Sequence, residues 1–216
     1  MKKAPFLIQI LIVCGALLPF EFTLAEEEEY TPLTFTPSGQ NFILQGVIDD
    51  YSLEDFEHAL KEHPKIRHLI FENVPGSIDD ETNLQLAKRI HSLGFTTAIP
   101  AGGLIASGGT DLFLAGVRRS IAEHSCVGVH AWAAETDDGL IDANQVPRDA
   151  AEHKAYTDYY RTVNIDPEFY WYTLAAATSE QMHWMSYADV RRFRLGDNYQ
   201  LNDTGRAIDC DAIPDP

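Results

Sequence analysis

The sequence predicts an α/β domain built on a mostly parallel sheet. Two observations predict it. From residue 41 onward, short apolar runs of strand character alternate with segments of helical periodicity. Small-residue turns follow two of those runs, as they do where a strand feeds a crossover helix. No internal repeat and no second domain is visible.

Taken in order, residues 41–48 read as a strand. Ser52 with Asp55 resembles a capping box that opens a helix through His63, and Pro64 breaks that helix. Residues 66–72 form a second strand, which ends at the turn Asn73-Val74-Pro75-Gly76-Ser77. A helix over 80–93 sets Leu84, Ala87, Ile90 and Leu93 on one face, and Gly94 is a natural stop. Residues 95–99 are a third strand. A small-residue loop with Ser107 opens a helix that ends at Gly116, and residues 119–122 and 127–132 are two more strands. Residues 133–147 read as a polar loop. Amphipathic helices over 148–162 and 167–177 follow, and Ser186 with Asp189 caps another. Sites in such sheets form at the carboxyl ends of strands, where the Pro75-Gly76 turn and the Ser107 loop both fall.

The first 25 residues have the order of an export signal. Lys2 and Lys3 precede an apolar stretch over 6–20, and Thr23-Leu24-Ala25 offers small residues at a cleavage site. The stretch is short for a membrane span and carries Gln9 and Pro19. Cys14 follows Val13 rather than a small residue, which argues against lipidation. Retention as an anchor is the alternative to cleavage. The expected organisation is a signal peptide at 1–25, an acidic flexible segment at 26–40, one folded domain at 41–205 and a tail at 206–216. The expected location is periplasmic or secreted. The net charge of −17 argues against nucleic acid and anionic membranes as partners. Cys126 and Cys210 survive signal removal, and an oxidising compartment permits a bridge between them; two free thiols is the alternative. No metal-ligand pattern is present. His58, His63 and His68 are spaced by five, which does not stack them on one helix face.

Two residues carry candidate chemistry. Ser107 sits between a small-residue loop and an apolar helix, so its hydroxyl stands near unpaired backbone N–H groups. A nucleophile that forms an oxyanion gains from that setting. His130 lies 23 residues further on, at the end of the strand Val127-Gly128-Val129, where it could act as a base.

Three segments together resemble the ClpP/crotonase superfamily, and most of all its exported bacterial ClpP-like members. They are Asn73-Val74-Pro75-Gly76-Ser77, the stretch from Ala106-Ser107 to Leu114-Ala115-Gly116, and Val127-Gly128-Val129-His130. The resemblance spans residues 41–196. It implies a ClpP/crotonase-like spiral of βαβ units around the sheet, a homo-oligomer and no cofactor. It implies Ser107 as nucleophile, His130 as base, and the N–H groups of Gly76 and Gly108 as oxyanion donors. The substrate would be a peptide or protein.

This chain departs from the family pattern in three places. Ser77 replaces a second Gly and is expected to constrict the oxyanion turn. Gly108 and Gly109 are expected to loosen the nucleophile helix. The family's aspartate falls near Thr178, where Glu180 is the nearest carboxylate and is also suited to cap a helix. Lys154 is an alternative base, as in relatives that use a Ser–Lys dyad, although Glu152, His153 and Asp158 around it suggest a solvated face. The run Phe169 to Tyr172 could line a peptide groove, with helix packing or a subunit interface as the alternative. The leading expectation is a serine peptidase or related acyl hydrolase. The rival is a binding or scaffold protein that kept the fold with weak or no catalysis. An acyl-CoA enzyme fits poorly with export, as does an ATP-driven unfoldase partner.

Overall fold

A computed structural model describes residues 30–136, 139–197 and 209–213. The expected signal segment, the acidic run at 26–29 and the segment from 198 to 208 lie outside the described residues. Among those described, no helix is long and apolar enough to cross a membrane.

The chain opens with a hairpin, β1 (Thr34–Ser38) and β2 (Asn41–Gln45), paired antiparallel around Gly39 at φ 61°. The folded domain therefore starts before residue 41, and the segment over 26–40 is not a flexible tail throughout. The reason is local: Leu33 and Phe35 alternate inward with exposed neighbours and are buried. β2 ends at Gln45, where its pairing shifts register, and Gly46 turns at φ 110°.

α1 (Ser52–Glu62) follows. The expected capping box is absent. Tyr51 is the N-cap and has no side-chain cap; Asp49 forms a turn just before the helix, where its carboxylate accepts from the Tyr51 N–H at 3.1 Å and from the Ser52 hydroxyl at 2.8 Å. β3 (His68–Val74) pairs parallel with β2. α2 (Asp80–Ser92) is capped by Asp79, which accepts from the Thr82 N–H at 2.8 Å, and it buries Leu84, Ala87 and Ile90 as its periodicity predicts.

Next come β4 (Thr96–Ile99), β5 (Leu104–Ala106), α3 (Gly108–Leu114), β6 (Arg119–Ile121) and β7 (Cys126–Val129). The short β5 was not legible as a strand. β3 forks the sheet: residues 68–70 pair with β4, and residues 73–74 pair with β5. β4 continues to β6, and β5 to β7, all parallel. The fork carries β5 and β7 onto a second path, and α3 packs between the two. Phe71 meets Phe113 edge-on at 5.7 Å there, and both rings are buried.

The stretch expected as a polar loop is a hairpin, β8 (Ala133–Thr136) and β9 (Gly139–Asp142). The long helix begins later than expected, as α4 (Lys154–Thr162) after a 3-10 turn at Ala151–His153. α5 (Glu168–Ala176) and β10 (His183–Trp184) follow, with β10 antiparallel to β7. α6 (Tyr187–Arg192) is capped by Ser186, which accepts from the Asp189 N–H. The result is a mixed α/β fold with a mostly parallel sheet of eight strands among the described residues.

Cys126 on β7 is disulfide-bonded to Cys210, 84 residues away in sequence. Trp184 Nε1 donates to Asp211 beside it at 2.7 Å. Closing so long a loop restricts the unfolded chain, so Cys210→Ser is expected to cost about 2–4 kcal/mol. Urea unfolding with and without reductant checks this. Equal stability of both forms would contradict a structural role for the bridge.

Candidate active site

Ser107 turns β5 into α3. Its backbone adopts φ 50° and ψ −129°, a left-handed region that costs a non-glycine residue about 1–3 kcal/mol. Its N–H donates to the Gly128 carbonyl at 3.1 Å, and its own carbonyl accepts from the Thr110 N–H at 2.9 Å. The Thr110 hydroxyl also donates to Gly128, at 2.9 Å. These bonds hold the strained turn against β7.

Gly76 lies directly beside it. A Cβ on Gly76 would sit 3.5 Å from Ser107 Cβ and 3.9 Å from Oγ. Its turn is pinned to the chain before α1: Ile48 N–H donates to the Gly76 carbonyl at 3.0 Å, and Ile78 N–H donates to the Ile48 carbonyl at 2.8 Å. The Ser77 hydroxyl donates to Asp80 at 2.6 Å, and its side chain packs against Gly108.

Packing alone already requires glycine at 108. A Cβ there would lie 2.2 Å from Ser77 Oγ and 2.8 Å from Asn83 Nδ2. At Gly109 it would lie 2.1 Å from the Val74 carbonyl oxygen. The glycine pair therefore does not loosen the helix. It lets the first turn of α3 seat against the end of β3. Gly108 N–H opens α3, where no intrahelical acceptor exists for it.

His130 follows β7 and lines one cavity with Ser107 and Gly108. The cavity holds about 30 Å³, room for a water-sized group. Among the described residues, no hydrogen bond joins Ser107 Oγ to the imidazole. The ring instead meets the Ser179 carbonyl, 3.2 Å from Nδ1. A carbonyl can only accept, so Nδ1 carries the hydrogen, and in the neutral ring the lone pair is on Nε2.

The expected third members lie elsewhere. Glu180 and Thr178 are exposed and do not line the Ser107 cavity. Ser179 has the position between them because residues 178–181 form a turn, closed by the Gln181 N–H donating to the Thr178 carbonyl at 3.1 Å. Lys154 is exposed on α4 and paired with Asp158, so it is not the base. The desolvation that a catalytic lysine needs is missing.

An aromatic and acidic wall closes the cavity. Tyr156 stacks between Trp132 and Tyr170, with ring centroids 6.4 and 5.1 Å apart. Trp132 Nε1 donates to the Tyr170 hydroxyl at 2.9 Å. Tyr170 thus lines the cavity, while Phe169 packs in the core against Tyr160 and Phe193. The Tyr156 hydroxyl donates to Asp80 at 2.5 Å, and the Tyr160 hydroxyl donates to Asp111. Burial and the neighbouring carboxylates push both tyrosines upward, so both hydroxyls stay protonated as donors. Burial raises the Asp111 carboxyl to about 7, against the opposing Tyr160 hydrogen bond. Sequence reasoning missed Asp111, although its place one helical turn after Ser107 was a usable signal. Nothing in the sequence marked Asp80.

No family model matches the chain, and no curated protein matches it. Among solved structures, the chain is similar to the 1510-N membrane-bound stomatin-specific protease. A lysine-to-alanine mutant of it in complex with a substrate peptide is 16% identical, with TM-score 0.48, over 70% of this chain and 71% of that one. A serine-to-alanine mutant is 14% identical, with TM-score 0.48, over 70% and 75%. Methylmalonyl CoA decarboxylase complexed with 2S-carboxypropyl CoA is 12% identical, with TM-score 0.43, over 81% and 68%.

The Asp111 carboxyl gives a pH-dependent prediction. Its folded-state value lies above the ordinary 3.8, so folding favours the protonated form. Stability is expected to fall as pH rises from about 4 to about 7, with the full penalty above that. Asp111→Asn keeps an acceptor for Tyr160 and removes the charge. It is expected to raise Tm by several degrees at pH 8 and much less at pH 5. Equal shifts at the two pH values would contradict the assignment.

Proposed function

We propose that this chain is an exported serine acyl hydrolase, acting on peptide or related acyl bonds through Ser107 and His130. One observation carries the reading: Ser107 and His130 line a single cavity, with the Ser179 carbonyl holding the ring so that Nε2 is the free base. Nε2 takes the Oγ proton as Oγ attacks the acyl carbon. The N–H groups of Gly76 and Gly108 receive the developing oxyanion. The imidazolium then protonates the leaving amine, and water, activated by the same nitrogen, releases the acyl group. The reading requires Ser107 Oγ to reach Nε2 once substrate binds, as catalytic bonds that are open in resting sites do. Export rests on the composition of residues 1–25, and a homo-oligomer rests on the family resemblance.

The site is slow on this reading. Among the described residues no carboxylate bonds Nδ1 directly, and loss of that partner in known triads costs about four orders of magnitude. The small cavity, with Ser107 and His130 unbonded, favours the second reading, a binding or scaffold protein.

Fluorophosphonate labelling of the purified protein separates the two. Wild type is expected to label slowly, Ser107→Ala not at all, and His130→Ala at least about a hundredfold more slowly than wild type. Equal labelling of wild type and Ser107→Ala would contradict the hydrolase reading and leave the scaffold role.

A further inference from the structure

The hairpin expected as a polar loop ends at Asp142, and this residue has a partner that matters to the site. Its Oδ1 accepts from the Ser179 N–H at 3.1 Å. The carbonyl of the same Ser179 accepts from His130 Nδ1 at 3.2 Å. One residue thus carries a carboxylate on its N–H side and the imidazole on its C=O side. We propose that Asp142 is a positioning residue for His130: it fixes the Ser179 turn that sets the ring's tautomer, and its charge supports the imidazolium formed during acyl transfer. The proposal rests on the Ser107–His130 reading.

Several features support this role. Asp142 is locked in place by the hairpin, where it pairs with Ala133, three residues after His130. The next residue anchors the hairpin to the site wall: Ala143 N–H donates to the Trp132 carbonyl at 2.8 Å. On the other side, Ala131 N–H donates to the Ala177 carbonyl at 3.0 Å, which ties the Ser179 turn to the strand end that bears His130. The Ser179 hydroxyl and N–H hold the Asp142 carboxyl below the usual carboxylate range, and the His130 ring lowers it further. Asp142 is therefore ionised across the range in which an imidazole titrates.

The other groups around the ring are already committed. Asp80 from α2 is held by Ser77 and Tyr156, and Asp111 from α3 by Tyr160. Tyr156 and Tyr160 from α4 donate to those carboxylates, and Tyr170 from α5 bonds Trp132 and His153. His183 on β10 bonds the Tyr172 hydroxyl at 2.9 Å. Glu180, next to Ser179, is exposed.

The arrangement replaces a carboxylate in contact with the imidazole by one acting across a whole residue. The Ser179 carbonyl meets Nδ1, and the Ser179 N–H, in the preceding peptide unit, meets the carboxylate. Orientation is kept, and the charge effect is weakened by distance.

Two readouts on full-length mature protein test this. The first is an NMR titration of the His130 ring, which does not depend on turnover. Asp142→Asn keeps an acceptor for the Ser179 N–H and removes only the charge, so the midpoint is expected to move to lower pH. The second is fluorophosphonate labelling as a function of pH. Asp142→Asn is expected to slow it about threefold to tenfold, with the rate inflexion moving the same way. Asp142→Ala, which also frees the turn, is expected to slow it more. An unmoved His130 midpoint in Asp142→Asn would overturn the proposal. A moved midpoint with no labelling of wild type would support Asp142 and overturn the hydrolase reading instead.

Discussion

The site depends on how closely the first turn of α3 approaches the end of β3. Gly109 has no room for a Cβ against the Val74 carbonyl, and Gly108 has none against Ser77 and Asn83. Asn83 Nδ2 clamps the same turn by donating to the Gly108 carbonyl at 2.9 Å. This clamp leaves Asn83 Oδ1 buried with no partner among the described residues, a cost of about 1–3 kcal/mol that the packing must offset. Because α3 cannot move outward, Ser107 must complete the turn at positive φ, and its side chain is held beside Gly76. Gly76 and Ser107, 31 residues apart in sequence, thereby become one surface.

The sheet supplies the rest of the geometry. The fork at β3 sends β5 and β7 along one path, so Ser107 and His130 leave neighbouring strands near one cavity. Thr110 and Ser107 both donate to the Gly128 carbonyl, which fixes α3 to β7 directly. The helices behind the cavity contribute rings and hydroxyls rather than ions of opposite sign. Each of the two carboxyls there is bonded by a tyrosine, which explains how Asp80 and Asp111 share a small space. Asp111 holds its proton up to about neutral pH, which limits the repulsion.

Much of the fold was legible because it is written in local periodicity. The faces of α2 and the stop at Gly94 follow from spacing alone. β5 was missed because three buried residues between two turns carry no period. The β8–β9 hairpin was missed because its strands are half-exposed and rich in polar and small residues, which read as loop. That miss hid Asp142. The family pattern points near Thr178 along the chain, whereas Asp142 stands on a hairpin that only the folded register brings beside Ser179. The partners of Ser77 were not legible either: Asp80 is on the next helix, and the fit with Gly108 is tertiary. The tail was legible only through Cys210, whose bridge to Cys126 places residue 210 beside β7.

The central claim is that Ser107 Oγ, His130 Nε2 and two backbone donors converge on one reacting carbon. A crystal structure of the protein after reaction with a small fluorophosphonate tests it most directly. The account predicts a phosphorus atom bonded to Ser107 Oγ, with one phosphoryl oxygen within about 3 Å of both the Gly76 and Gly108 nitrogens. It also predicts His130 Nε2 within hydrogen-bond distance of Oγ or the departing group. An unmodified Ser107, or an adduct whose oxygen points to solvent away from both glycines, would contradict it.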